Sequence, residues 1–199
     1  MTLTTHRCRF LFIIFAFLLA SASKAGAEGA KEQLQGTIDG VIEVLRTIQG
    51  PEDIERSKKT VRQILVARFD FPAMAQGSLG NRWNDLKGNE QEFVAVFTDF
   101  VEYSYMSALG HYQGEKVVYD ADRTNGNSAE VDTRVVGGKA AAMKIRYKLH
   151  LTDGEWKVYD AVLDDISLVG NYRSQFARVL QTASLGDLIQ TLRAKAAGR

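Results

Sequence analysis

The alternation of apolar and basic side chains at residues 143–151 constrains the fold of this chain more than any other feature. Apolar side chains at the odd positions are separated by Lys144, Arg146, Lys148 and His150. Successive side chains of a strand point to opposite sides, so the pattern predicts an antiparallel strand with one buried face and one solvated, cationic face. The buried face needs a covering layer, and the rest of the chain must supply it.

Three further strands and six helices are predicted around this segment. Gly137-Gly138 and Asp153-Gly154 are hairpin signals on either side of it. Strands are expected at 116–121, 129–135, 143–151 and 156–163, and helices at about 34–48, 52–67, 72–79, 89–110, 168–182 and 186–196. We therefore predict an α+β fold, with a four-stranded antiparallel sheet covered on one face by several helices that enclose an apolar pocket.

The first 27 positions have the three parts of a secretory signal peptide. Basic residues precede an apolar run of eleven residues at 10–20, and small residues suit cleavage after Ala27, with 21–23 as the alternative cut. A membrane span needs about 20 apolar residues, so this run is too short to be one. We expect residues 1–27 to be removed and 28–199 to form a single domain in a bacterial periplasm.

Charge and cysteine content exclude several classes of protein. The chain has 25 basic and 24 acidic side chains, and three of the basic ones precede position 28, so the remainder is slightly acidic. Nucleic-acid binding needs a clustered basic face, which is absent from the sequence. Cys8 is the one cysteine and lies in the expected signal peptide, which leaves no disulfide and no thiol nucleophile. His111 and His150 are interpreted as surface residues, and no spacing of ligands predicts a metal or a cofactor.

Asp160 is the carboxylate whose position suggests chemistry. Alternation from Trp156 and Val158 places it on their buried face, where an ionised carboxylate is costly unless it is paired. Arg173, on the next helix, is the expected partner, either in a structural pair or near a pocket mouth where it contacts a head-group phosphate. The alternative is a small pocket enzyme of ketosteroid-isomerase-like fold with Asp160 as general base. No second catalytic group accompanies Asp160, so we favour a protein that is not an enzyme.

The predicted inward positions are almost all large and apolar, as the wall of a lipid-binding pocket would be. Periodicity cannot distinguish such a pocket from a filled core, and a structural or adaptor domain with a filled core is the further alternative. The candidate lipid-binding residues are Phe93, Phe97, Phe100, Tyr105, Tyr147, Leu149, Trp156, Val158, Val162, Val169, Tyr172 and Phe176.

Several motifs, in this order and spacing, resemble the MlaC family, also called toluene-tolerance auxiliary proteins. They are F-D-F-P-A-M-A at 69–75, L-G-x-x-W at 79–83, the Glu90, Phe93 and Phe97 pattern, W-K-V-Y-D at 156–160 and S-L-V-G-N-Y-R-S-Q-F at 167–176. The chain departs from the family pattern at Asp164-Asp165-Ile166, where family members tend to have Glu-Gly before the serine. The match nevertheless spans most of residues 28–199.

The resemblance implies a periplasmic lipid-binding shuttle with a fold like nuclear transport factor 2 in outline. Such proteins carry phospholipid between an outer-membrane lipoprotein–porin complex and an inner-membrane ABC transporter with an MCE-domain subunit, and so maintain the lipids of the outer membrane. The acyl chains lie inside the protein and the head group lies near solvent. A related branch accompanies hopanoid synthesis, and a hopanoid-type ligand would also suit an aromatic wall. The sequence leaves both ligands open.

Overall fold

A computed structural model describes residues 28–106, 112–138 and 143–198. The expected signal peptide, 1–27, lies outside the described residues, as does the predicted end of the long helix at Gly110. The helices are α1 (Ala30–Arg46), α2 (Pro51–Arg68), α3 (Phe71–Leu79), a 3₁₀ segment (Gly80–Leu86), α4 (Glu90–Met106), α5 (Leu168–Val179) and α6 (Leu185–Ala196). The strands are β1 (Lys116–Asn125), β2 (Ser128–Val136), β3 (Met143–Thr152), β4 (Glu155–Leu163) and β5 (Ile166–Ser167).

The five strands form one antiparallel sheet in the order β1-β2-β3-β4-β5. The α+β class is confirmed, and the strand count differs from the prediction by the two-residue β5. Strand β1 is also longer than expected, because it pairs with β2 as far as Asn125 opposite Ser128. The turn between them uses Gly126 at φ +58°, a left-handed conformation that glycine adopts without strain. Asp153 and Gly154, both at positive φ, make the predicted β3–β4 hairpin turn.

The buried apolar residues form two separate clusters. The sheet cluster joins α1 to strands β2, β3 and β4, and consists of Ala30, Leu34, Ala129, Val131, Leu149, Trp156 and Val158. The helical cluster joins α3, the 3₁₀ segment, α4, α5 and α6, with Phe93 and Phe97 fully buried at its centre. Phe69, in the connection from α2 to α3, packs against both clusters.

A β-bulge interrupts the β3–β4 ladder. Leu149 pairs with Val158, but Lys148 pairs with Asp160, so Tyr159 is the extra residue on β4. An extra residue reverses the side on which all later side chains of a strand lie. Asp160 therefore lies opposite Lys148 on the polar side of β3. The predicted placement of Asp160 with Trp156 and Val158 is wrong for this reason.

The polar side of the sheet is a network of paired charges, although the sequence of β3 alone predicted a cationic surface. Arg146 on β3 contacts Asp132 on β2 at 2.7 Å, and Asp132 also contacts Arg123 on β1 at 2.9 Å. Arg134 and Asp120 form a second cross-strand pair at 2.6 Å. The neighbouring strands thus supply the carboxylates that balance the basic residues of β3. In the described part of the chain, no helix combines the length and apolar character needed to cross a bilayer.

Candidate functional site

An apolar cavity of about 370 Å³ lies between the α1–α2 hairpin and the sheet. Ligand sites in proteins usually occupy about 300–1,000 Å³, so this cavity is large enough for a ligand. Helices α1 and α2 form one wall, strands β1, β2 and β3 the other, and Phe69 closes the side. The lining residues are Leu34, Thr37, Ile38, Val41, Ile42, Leu45, Leu65, Phe69, Tyr112, Glu115, Val117, Val135 and Tyr147.

The apolar face of α1 forms most of one wall. Its cavity-lining residues are three or four positions apart, which places them on one side of the helix. Leu34, at the N-terminal end, has no exposed surface, whereas Ile38, Val41, Ile42 and Leu45 are only half buried. The helix therefore packs tightly against the sheet at one end and leaves space beneath it at the other.

Arg68 joins the tightly packed end of α1 to the sheet. Its Nε donates to Thr37 Oγ1 at 3.0 Å, and its Nη1 donates to Gln33 Oε1 and to the carbonyl oxygen of Trp156, both at 2.6 Å. Gln33 Oε1 also accepts from the backbone N–H of Trp156 at 3.0 Å. One half-buried guanidinium thus joins α1, α2 and β4. Of this network, Thr37 lines the cavity.

Hydroxyl groups add a few polar atoms to the apolar cavity. Burial raises the pKa of the Tyr147 hydroxyl, which belongs to a cavity-lining side chain, to about 12. Burial also raises the pKa of neighbouring Tyr119, and Asp39 adds to that effect. The Tyr119 hydroxyl is buried and has no hydrogen-bond partner among the described residues. Both phenols therefore stay neutral well above physiological pH.

The twelve predicted lining residues are divided among different parts of the molecule. Tyr147 lines the cavity, and Leu149, Trp156 and Val158 lie in the sheet cluster that supports the cavity wall. The others do not border the cavity. Tyr105 is 46% exposed on α4, and Val162, which follows the bulge, lies opposite Arg146 on the polar side of the sheet.

The remaining predicted residues belong to the helical cluster. Phe97 has its ring centroid 5.7 Å from that of Tyr172 and 6.2 Å from that of Phe93, in edge and stacked arrangements. Phe176 completes this group at 6.3 Å from both phenylalanines. Such centroid distances are those of directly packed aromatic rings. Phe100 and Val169 pack on the same cluster, which is a filled interior.

Comparison with known proteins shows which family this chain belongs to. The sequence model described as "MlaC protein" matches residues 35–194, which is most of the chain. The chain belongs to the MlaC family. Over 81% of its length it is 26% identical to the toluene tolerance protein ttg2D of Pseudomonas putida, of which 69% is covered. It is 21% identical to the intermembrane phospholipid transport system binding protein MlaC of Haemophilus influenzae, with 73% of this chain and 71% of that protein aligned.

A solved structure has the same fold. It is that of a phospholipid-binding protein from Ralstonia solanacearum in complex with a phospholipid, and it superposes with a TM-score of 0.73. The superposition covers 86% of this chain and 98% of the other, at 24% identity. The two proteins therefore share the arrangement of helices and strands described above.

The first three residues of the F-D-F-P motif each have a distinct role in this MlaC-family chain. Phe69 lines the cavity and forms a β-bridge with Val158. Asp70 Oδ1 accepts from the N–H of Ala73 and so caps α3, while Oδ2 lies 2.8 Å from Nε2 of His150. Phe71 is buried in the helical cluster. The motif thus connects the cavity wall, the sheet and the helical core within three residues.

The predicted Asp160–Arg173 pair is wrong. Asp160 accepts from Ser167 Oγ at 2.8 Å and from the N–H of Val169 at 3.1 Å, and Lys148 Nζ lies 3.5 Å away. Arg173 instead donates from Nε to the carbonyl oxygen of Gly77 at 2.7 Å. The bulge at Tyr159 causes the difference, since it points Asp160 to the start of α5. Asp160 therefore anchors α5 to β4.

A larger open groove, of about 1200 Å³, lies between α2, α4 and α6. Its rims are ionised, and Arg62 pairs with both Asp99 and Glu102. Burial raises the pKa of Glu102 even though Arg62 lies beside it. Such a rim does not suit an acyl chain, and the cavity beneath α1 is the better candidate site. Among the described residues, no cluster of His, Cys, Asp and Glu is arranged to hold a metal ion.

Proposed function

We propose that this chain is a periplasmic lipid carrier that holds the acyl part of a phospholipid in the cavity beneath α1. The observation that carries the proposal is the row of half-buried apolar side chains on α1, which face a cavity instead of a packed core. Burial of apolar surface stabilises a folded protein, so leaving Ile38, Val41 and Ile42 partly uncovered is unfavourable without a ligand. An acyl chain would cover them.

The need for a carrier follows from the cost of exposing lipid to water. Each methylene contributes about 0.8 kcal/mol, so two chains with roughly 30 methylenes cost on the order of 20 kcal/mol to expose. A phospholipid therefore does not cross an aqueous compartment unaided at a useful rate. An apolar cavity in a protein replaces most of the lost burial.

In this proposal the predicted lining residues have different tasks. Tyr147 contacts the ligand, and Leu149, Trp156 and Val158 support the wall behind it. The helical cluster supports the sheet and α1 through Phe69, which packs against both clusters. Its aromatic members are Phe93, Phe97, Tyr172 and Phe176. The cavity is at the small end of the range for ligand sites, so a two-chain lipid requires the α1–α2 hairpin to move outward from the sheet.

The relatives' names support transport between membranes as the wider role. The Haemophilus influenzae relative is named as the binding protein of an intermembrane phospholipid transport system. We infer the same role here, with lipid exchanged between an outer-membrane lipoprotein–porin complex and an inner-membrane ABC transporter with an MCE-domain subunit. A protein in this role needs no catalytic group. The Asp160 carboxylate of this chain already accepts a hydrogen bond from the start of α5.

Native mass spectrometry of the protein purified after export tests the proposal. We expect a bound mass of about one lipid per chain, identified as phospholipid by fragmentation. A hopanoid mass would keep the carrier role and change the ligand. A lipid-free protein that takes up no phospholipid from added vesicles would contradict the proposal.

A further inference from the structure

The two ends of the cavity beneath α1 differ in charge and in access. One end, the floor, is closed by Leu34 and Thr37, which are both buried, and the Arg68 guanidinium donates to the Thr37 hydroxyl. The opposite end, the rim, is formed by Tyr112, Glu115 and the adjoining ends of β1 and β2. A ligand whose chains fill the cavity must place its polar part at the rim.

Glu115 is the sole ionised side chain among the described residues that line the cavity. The other polar lining groups are the hydroxyls of Thr37, Tyr112 and Tyr147. The described cations nearest to the rim in sequence, Arg46 and Lys116, are exposed and do not line it. The described rim therefore presents a net negative charge to a lipid head group.

The chain holds the Glu115 carboxylate in place. Its Oε2 accepts from the backbone N–H of Gln113 at 2.7 Å, and the Tyr112 hydroxyl donates to the carbonyl oxygen of Glu115 at 3.4 Å. Gly138, at φ +68°, lies directly against Oε1, and a Cβ at that position would clash with the carboxylate. Glycine is thus needed at 138 both for its backbone conformation and for the space that Glu115 occupies.

We infer that Glu115 selects lipids whose head group carries an ammonium, such as phosphatidylethanolamine, over anionic lipids such as phosphatidylglycerol. The inference rests on the proposed function, since it requires the acyl chains to lie in this cavity. A carboxylate attracts the ammonium of a zwitterionic head group and repels the net charge of an anionic one. Glu115 is half buried, so the attraction is weakened by solvent but not removed.

Competition between two lipids tests the inference. The protein, freed of bound lipid, is incubated with vesicles of equal parts phosphatidylethanolamine and phosphatidylglycerol, and the bound lipid is identified by native mass spectrometry. We expect wild-type protein to be enriched in phosphatidylethanolamine by about threefold to fivefold, the range of a partly exposed ion pair. Glu115→Gln should bind the two lipids in the vesicle ratio, and Glu115→Lys should prefer phosphatidylglycerol.

Glu43→Gln is the matched control. Glu43 is an exposed carboxylate on α1 that borders the groove between α1 and α2, away from the cavity. This variant should keep the wild-type preference. The inference is overturned if wild-type protein binds the two lipids in the vesicle ratio, or if Glu115→Gln keeps the wild-type enrichment. Either result leaves the carrier role intact. Absence of both lipids from wild-type protein would instead overturn the proposed function, and the inference with it.

Discussion

The Arg68 guanidinium donates a hydrogen bond to the carbonyl oxygen of Trp156 across 2.6 Å, although the two residues are 88 positions apart. The same side chain binds Gln33 and Thr37 on α1. One residue at the end of α2 therefore fixes both helices of the hairpin to β4. The rest of the hairpin is held over the sheet mainly by apolar side chains that are only half buried.

Replacement of Arg68 by alanine should lower the free energy of unfolding by about 2–3 kcal/mol, because three hydrogen bonds from a charged group are lost. Urea denaturation measures the change. Arg56→Ala, on the same helix, is the control, since Arg56 is 81% exposed and pairs with Asp53 at 3.4 Å. A surface pair of that kind contributes at most about 1 kcal/mol. Equal losses in the two variants would contradict the role of Arg68.

Filling the cavity should weaken lipid binding without unfolding the protein. Val41 lines the cavity, whereas Val44, one turn further along α1, lines the groove between α1 and α2, so the two positions allow the same substitution inside and outside the cavity. Val41→Trp should lower phospholipid affinity by about tenfold, as overpacking costs about 1–3 kcal/mol. Val44→Trp should bind nearly as the wild type does. Vesicle-transfer assays measure binding, and circular dichroism checks the fold; similar affinities for both variants would count against the cavity.

Asp160→Asn should destabilise the protein and leave lipid binding nearly unchanged. The carboxylate accepts from Ser167 and from the backbone of Val169, and an amide in its place turns one acceptor into a donor. The expected loss is about 1–3 kcal/mol in urea denaturation. Asp165→Asn is the control, because Asp165 is exposed and asparagine tolerates its positive φ. Unchanged stability in Asp160→Asn would show that the carboxylate does not anchor α5.

The stability of the protein should fall at high pH in a way that depends on Tyr147. Burial raises its pKa in the folded protein to about 12, against about 10 in the unfolded chain. The contribution of the Tyr147 hydroxyl to the free energy of unfolding is therefore complete below pH 10. It is lost as the pH rises toward 12, by about 1.4 kcal/mol per pH unit. Tyr147→Phe has no proton to lose, so its unfolding free energy should decline less between pH 9.5 and 11, a range of about one and a half units.

Urea denaturation at a series of pH values measures this difference. Tyr103→Phe is the control, since Tyr103 is 52% exposed, and it should follow the wild-type curve. If Tyr147→Phe also follows that curve, the Tyr147 hydroxyl is not buried as described here. Both phenylalanine variants should still bind phospholipid, because neither change removes apolar surface from the cavity.

The elements of the fold could be predicted because local patterns carry them. Alternation at 143–151 required a strand with two unlike faces, and Asp153-Gly154 fixed the turn after it. The sequence also shows the apolar face of α1, but the residues of that face are not among the predicted lipid-binding residues. Leu34, Ile38 and Val41 have the same spacing as residues of an ordinary core helix, and spacing does not distinguish a wall beside a cavity from a wall beside other side chains.

The sequence by itself determined most of the side chains that turn inward, the helices and main strands of the described residues, and membership of the MlaC family through its ordered motifs. The tertiary structure alone decided which of the inward residues meet one another. Phe93, Phe97, Tyr172 and Phe176 fill a helical core, whereas the cavity borders α1, Phe69 and Tyr147. The bulge at Tyr159 turned Asp160 away from its expected partner, because strand register depends on pairing with β3 and no local pattern records it.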